Sequence, residues 1–143
     1  MTINHSYFFN LAFQLAEKNL WQTGLNPSVG SIVVKNNAVI SSGVTSINGR
    51  PHAEFNALNK IKKCEGATLY TSLEPCTHEG KTPPCTNIII KKKIKNVYYA
   101  FEDPDKRTNK KAKKILKKKG IKSKLIKSKK YISFYKSYLI NKK

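Results

Sequence analysis

Apolar residues recur every three or four places along the first 22 positions, with Phe8, Leu11, Ala12, Leu15, Ala16 and Leu20 on one stripe. That spacing predicts an amphipathic helix over residues 4–22. Gly24, Asn26 and Pro27 then break it into a loop. Residues 29–35 and 38–45 read as two strands joined at Asn36-Asn37, a pair that tolerates the positive φ of a tight hairpin. After a loop ending in Pro51, a helix is expected from about His52 to Lys62, its inner side formed by Ala53, Ala57, Leu58 and Ile61. Residues 67–73 form a short apolar run, a strand leading straight into Pro75-Cys76. Residues 77–84 are a polar loop, and Cys85 begins a helix reaching about Lys92. Residues 97–101 make another central strand, closed by an Asp-Pro-Asp turn at 103–105.

The remainder is lysine-rich but still periodic. Residues 108–119 predict a fourth helix resting on Ala112, Ile115 and Leu116, with Gly120 as its C-terminal cap. Residues 121–126 alternate as an edge strand. A last helix from about Lys129 carries Tyr131, Phe134, Tyr135 and Tyr138. Strands alternating with helices, with no internal repeat and no linker, predict the α/β class and a three-layer α/β/α sandwich.

At 143 residues the expectation is one domain over residues 1–143, burying roughly two-thirds of its unfolded surface. No apolar run approaches the roughly 20 residues of a membrane span, and the N-terminus lacks the basic leader and cleavage site of a signal peptide. Three cysteines make an odd count, which argues against a disulfide framework. A reducing cytoplasm, where thiols stay available to metal, is the expected location.

The net charge of +20 is unevenly placed. Residues 1–90 hold 6 Lys and Arg50 against 5 acids, whereas residues 91–143 hold 20 Lys and Arg107 against 3 acids. A basic nucleic-acid face would give such asymmetry. However, 26 of the 28 cations are lysine, whereas base and phosphate recognition favours the arginine fork. The abundance of Asn and Ile beside Lys points to compositional drift, so a nucleic-acid partner is not expected.

The chemistry concentrates in Pro-His-Ala-Glu at 51–54 and Leu-Glu-Pro-Cys-Thr-His-Glu-Gly-Lys-Thr-Pro-Pro-Cys at 73–85. His52, Cys76 and Cys85 supply three ligands of the types zinc prefers and would leave a fourth tetrahedral position for water. Helix N-termini lower a cysteine's pKa, and both cysteines follow prolines at expected helix starts. Glu54, two residues beyond the histidine, is the expected proton carrier. Singly, each cysteine reads as a buried hydrophobe and His52 as a cap or core residue; jointly they read as a metal site. A purely structural zinc would more often be closed by a fourth ligand and by C-x-x-C pairs. Here eight residues separate the cysteines, and His78 between them is better placed for substrate. Cys64 lies outside the pattern.

His-Ala-Glu with later Pro-Cys elements resembles the zinc deaminase signature. The C-x8-C insert resembles, among these, the deaminase domain of bacterial riboflavin biosynthesis, the diaminohydroxyphosphoribosylaminopyrimidine deaminases. The likeness runs through residues 26–30, 49–54, 66–85 and 103–104. It implies a cytidine deaminase-like fold with a mixed sheet of about five strands and one Zn2+ per chain. The implied reaction is hydrolytic deamination of 2,5-diamino-6-ribosylamino-4(3H)-pyrimidinone 5′-phosphate. By the same likeness Asn26 would bond the pyrimidine, His78, Lys81 and Thr82 would contact substrate, and Asp103 would hold the ribose. From its residues alone Asn26 equally suits a turn before Pro27, and Lys81 a solvated loop. Where the family usually carries a histidine, Thr45 stands, and its Asp-Pro-Asn turn reads Asp-Pro-Asp at 103–105. A stand-alone deaminase with a separate reductase chain, and a homo-oligomer, are expected. The competing expectations are a nucleoside, nucleotide or tRNA base deaminase and a non-catalytic, zinc-stabilised RNA-binding module.

Overall fold

Side chains of successive strand residues point to opposite faces, and this alternation divides the core in two. The computed structural model describes residues 4–127 and 129–136. Ile32, Val34 and Tyr70 face one apolar cluster, while Val33, Leu69 and Val97 face the other. The strands are β1 (Gly30–Lys35), β2 (Ala38–Val44), β3 (Thr68–Thr71), β4 (Asn96–Tyr99) and β5 (Lys122–Leu125), ordered β2-β1-β3-β4-β5. β1 runs antiparallel to β2 and β3, whereas β3, β4 and β5 are parallel. The sheet is therefore mixed, and five-stranded among the described residues.

Helix α1 (His5–Lys18) covers the first face with Phe8, Phe9, Ala12 and Phe13. Helices α2 (Ala53–Asn59), α3 (Cys85–Lys91) and α4 (Ala112–Lys118) cover the second through Leu58, Ile89 and Leu116. Helix, sheet and helix form the predicted three layers. The β1–β2 hairpin turns at Asn36 and Asn37, both at positive φ (51° and 64°) as the pair predicts. Gly120, at φ +76°, ends the turn after α4.

Helix α2 ends at Asn59, short of the expected Lys62, and three further elements differ from expectation. Helix α1 stops at Lys18 with Asn19 as its cap, and Leu20 falls outside it. Helix α4 begins at Ala112 and not at residue 108: Glu74 captures the backbone N–H groups of Lys110 and Ala112, and Lys110 takes a positive φ of 61°. The segment Lys129–Tyr135 forms a 3-10 helix where an α-helix was predicted. Its Tyr131 and Tyr135 still enter the first core cluster, Tyr131 stacking on Phe13 with ring centroids 3.9 Å apart. Tyr138 lies outside the described residues.

Helix α2 lies unusually close to β2. A Cβ on Gly43 would stand 2.5 Å from Ala53 O and Ala57 N, so only glycine allows this approach. The contact fixes the start of α2, which carries His52 and Glu54. No described helix is long and apolar enough to cross a membrane.

Candidate metal centre and active-site cleft

The carboxyl ends of parallel strands collect loops at one edge, where α/β folds place their sites. β3 there leads into Leu73, Glu74 and Cys76, and β4 leads into Asp103. β1 is antiparallel, so its beginning lies at this edge and contributes Asn26 and Val29 from the preceding segment. Thr45 follows the end of β2. These ends border a cleft with His52 and Glu54 in its lining.

His52 is the N-cap of α2, and Cys85 is the first residue of α3. Cys76 does not begin a helix as predicted; it lies in the loop after β3. Its sulfur instead receives the Cys85 backbone N–H at 3.2 Å. His52 Nδ1 stands 3.6 Å from Cys76 Sγ and 3.5 Å from Cys85 Sγ. All three donor atoms lie within 4.8 Å of one another. The ring's Nε2 is buried without a hydrogen-bond partner, so the polar contacts of the imidazole are those with the two sulfurs.

The donor set fits zinc. Bonds of about 2.3 Å to sulfur and about 2.0 Å to nitrogen, set at the tetrahedral angle, separate the two donors by about 3.5 Å. The observed nitrogen–sulfur distances match that span. Without metal, the hydrogen bond from Cys85 is the largest influence holding the Cys76 thiol down, to about 4. His52 and the Cys85 N–H add to it against the effect of burial. The Cys85 thiol is raised by the same bond, by burial and by the neighbouring negative charges. The pair therefore retains a proton that metal would displace, since ligand thiols bind as thiolates.

Glu54 is 4% exposed. Burial first, and the Cys76 charge second, push its carboxyl up to about 7, with His52 opposing. A carboxyl at that value both accepts and returns a proton near neutrality.

Of the remaining expected site residues, Asn26, His78 and Asp103 line the cleft, whereas Lys81 and Thr82 do not. Asn26 donates through Nδ2 to Gly49 O at 3.1 Å. His78 Nδ1 lies 3.0 Å from Thr108 Oγ1. Asp103 Oδ1 accepts the Asp105 N–H at 2.9 Å. Lys81 is exposed, and Thr82 Oγ1 accepts from Arg50 Nη1 at 2.6 Å, on the outer side between α2 and α3.

Sequence reasoning passed over Glu74. Its carboxylate accepts the N–H groups of Asp103 and Lys110 at 3.1 Å and of Ala112 at 3.2 Å, and so ties the 103–112 loop to the end of β3. An acid directly ahead of Pro75-Cys76 in an otherwise apolar strand end was the available signal. Thr45, standing where a histidine was expected, is buried and bonds its own scaffold: Oγ1 accepts from Val29 N at 2.9 Å.

A histidine and two cysteines grouped as zinc would require at the carboxyl edge of this sheet, with a buried glutamate beside them, point to the deaminase class, and the chain belongs to the cytidine and deoxycytidylate deaminase zinc-binding family, whose region matches residues 2–101. Within that family its likeness falls among the riboflavin-biosynthesis deaminases. It is 48% identical over 99 residues to the riboflavin biosynthesis protein RibD of Aquifex aeolicus, covering 68% of this chain and 28% of that protein. It is 40% identical over 120 residues to the diaminohydroxyphosphoribosylamino-pyrimidine deaminase of Buchnera aphidicola subsp. Schizaphis graminum, covering 83% of this chain and 82% of that one. A crystal structure of the Thermotoga maritima diaminohydroxyphosphoribosylaminopyrimidine deaminase/5-amino-6-(5-phosphoribosylamino)uracil reductase superimposes with a TM-score of 0.83 at 35% identity. That match covers 96% of this chain and 40% of the other. The chain thus spans less than a third of the RibD relative's length and most of the Buchnera relative's.

Proposed function

We propose that this chain removes the 2-amino group of 2,5-diamino-6-ribosylamino-4(3H)-pyrimidinone 5′-phosphate by hydrolysis, releasing ammonia and the 5-amino-6-ribosylaminouracil phosphate. The observation that carries the reading is the convergence of His52, Cys76 and Cys85 beside a buried carboxyl, Glu54, raised to about 7. The relatives bearing the pyrimidine deaminase name at 40% identity support the substrate.

His52 Nδ1 and the two cysteine sulfurs would hold one zinc per chain, which supplies a Lewis acid that lowers the pKa of water from about 15.7 towards 7. Glu54 takes the proton of the attacking water as its oxygen bonds to ring carbon C2. It hands that proton to the adjacent ring nitrogen, then carries the remaining proton of the new C2 hydroxyl to the amino group, so that the C2–N bond breaks, ammonia leaves and the C2–O bond becomes a carbonyl. Asn26 orients the pyrimidine, His78 contacts the substrate from the insert, and Asp103 holds the ribose side. Lys81 and Thr82 enter only as the outer rim of the insert.

Residues 1–143 act as a deaminase domain, in the cytoplasm, as a homo-oligomer whose product passes to a reductase. The test is ammonia release by metal-loaded protein from the pyrimidine phosphate, set against cytidine, deoxycytidylate and adenosine-containing RNA. Turnover of the pyrimidine phosphate at least about a hundredfold above the others supports the assignment. Turnover confined to RNA would replace it with a nucleic-acid base deaminase.

A further inference from the structure

The insert between Cys76 and Cys85 has little packing of its own. Glu79, Gly80, Lys81 and Pro83 are exposed, and a loop that buries so little opens readily unless something else fastens it. Its first end is fastened. Thr77 Oγ1 donates to Arg107 O at 2.8 Å, and Thr108 Oγ1 accepts the Thr77 N–H at 3.2 Å and lies 3.0 Å from His78 Nδ1. Beyond His78 the loop turns on itself through Gly80 N donating to Thr82 O at 3.2 Å. Among the described residues, one hydrogen bond joins residues 79–83 to another part of the fold. It runs from Arg50 Nη1 to Thr82 Oγ1 at 2.6 Å.

The guanidinium reaches that hydroxyl by lying against Gly80. A Cβ at position 80 would stand 3.2 Å from Arg50 Nη2 and 3.8 Å from Cζ, so a side chain there would press on the guanidinium. The base of the arginine is fixed as well. Pro51 O, the next carbonyl along, accepts from Ser46 N at 3.1 Å and from Asn56 Nδ2 at 3.2 Å, and Asn56 belongs to α2. Arg50 therefore stands on a support tied to α2, two residues ahead of His52. A hydrogen bond from a charged donor is among the stronger kinds, and this one is part-buried.

We propose that Arg50 is a positioning residue: through Thr82 it latches the outer half of the insert to the start of α2, and so steadies the stretch running from His78, on the cleft wall, to Cys85. The inference rests on the pyrimidine deaminase reading for its effect on substrate, whereas the latch itself is tested without substrate. It also gives the outward-facing Thr82 hydroxyl a role, that of the catch.

The experiment is amide hydrogen exchange, read by mass spectrometry on peptides spanning residues 77–84. Loss of one charge-assisted bond in Arg50→Ala or Thr82→Val should speed exchange there by about tenfold. Peptides from α1, β1 and β3 should keep the wild-type rate, which a general loss of stability would not allow. Thr82→Val retains the Arg50 charge, so agreement of the two variants assigns the effect to the bond. The double variant should exchange no faster than the faster single one, because both changes remove the same contact. Thr82→Ser keeps the hydroxyl and should restore the wild-type rate, and Arg50→Lys, with charge but no fork, part of it. In turnover, Arg50→Ala and Thr82→Val should raise KM for the pyrimidine phosphate about three- to tenfold with kcat held within about twofold, as for binding shared by ground and transition states. Wild-type exchange in Arg50→Ala, additive effects in the double variant, Thr82→Ser behaving as Thr82→Val, or an unchanged KM would each overturn the proposal. If the wild type does not deaminate the pyrimidine phosphate, the substrate assignment fails, and hydrogen exchange still decides the latch.

Discussion

The Cys85 backbone N–H points at the Cys76 sulfur from 3.2 Å, so the first peptide of α3 supports one candidate metal donor while its own side chain supplies another. A backbone donor of this kind favours the thiolate, and it substitutes for the helix start that Cys76 lacks. The C-x8-C spacing thus works by folding the insert back until the second cysteine's peptide meets the first cysteine's side chain.

Removing either sulfur ligand should leave two donors and abolish stoichiometric zinc. Elemental analysis of Cys76→Ser and Cys85→Ser after dialysis tests this; a full zinc complement in either would exclude that sulfur as a ligand. Glu54→Gln should keep the metal while turnover falls by about a hundred- to ten-thousandfold, the range for loss of a general acid–base group.

Glu54 also sets a pH dependence in metal-free protein. Its folded carboxyl titrates at about 7 against an ordinary 4.5, so the fold binds the proton more tightly than the unfolded chain. Stability from this group is fully present below 4.5 and is lost as pH rises through 7, by about 3 kcal/mol at most. Cys76, with its lowered thiol, contributes in the opposite direction, so the comparison is wild type against Glu54→Gln. With chelator present, urea midpoints should show the variant gaining on wild type between pH 5 and pH 8. Parallel pH profiles would contradict the burial argument.

Glu74→Gln should loosen the 103–112 loop without touching the metal. The amide keeps one acceptor oxygen but loses the charge shared among three backbone N–H groups. A cost of about 1–3 kcal/mol is expected from the impaired bonds. KM should rise more than kcat falls, and trypsin should cut faster at Lys106, Arg107 or Lys110. Unchanged proteolysis would remove Glu74 from the role of loop anchor.

Gly43→Ala should be costly for so small a change, since the new methyl carbon meets the α2 backbone at 2.5 Å. Overpacking typically costs about 1–3 kcal/mol, and here it also shifts His52. Thermal unfolding and zinc affinity should decline together; a variant with unaltered zinc affinity would show that α2 tolerates the displacement.

The legible part of this molecule was its periodicity and its metal chemistry. The alternation at Ile32, Val33 and Val34 and the stripe on α1 assign the two core faces directly, because burial leaves a period in the sequence. That His52, Cys76 and Cys85 would come together could be expected because few other residue types bind zinc, and the structure does group their donor atoms within 4.8 Å. What escaped depends on contacts remote along the chain. Glu74 reaches Ala112, 38 residues away, and moves the start of α4 to that residue. Thr82 sits on the correct insert yet turns outward to Arg50. No local spacing encodes either direction. The Asp105 departure from the expected turn also made sense only once Arg107 was seen beside it.

Tyr135 bears on the order in which the site is completed. Its hydroxyl lies 2.6 Å from Ser72 Oγ and donates to Ser28 O at 3.0 Å, a partner 107 positions earlier. A nascent polypeptide therefore exposes His52, Cys76 and Cys85 long before the tyrosine that braces Ser72 and Ser28 has been synthesised. Closing so wide a chain loop is entropically slow relative to local contacts. Catalytic competence should consequently trail metal capture during biogenesis, and ribosome-stalled chains ending before this tyrosine should hold zinc with a weakened grip.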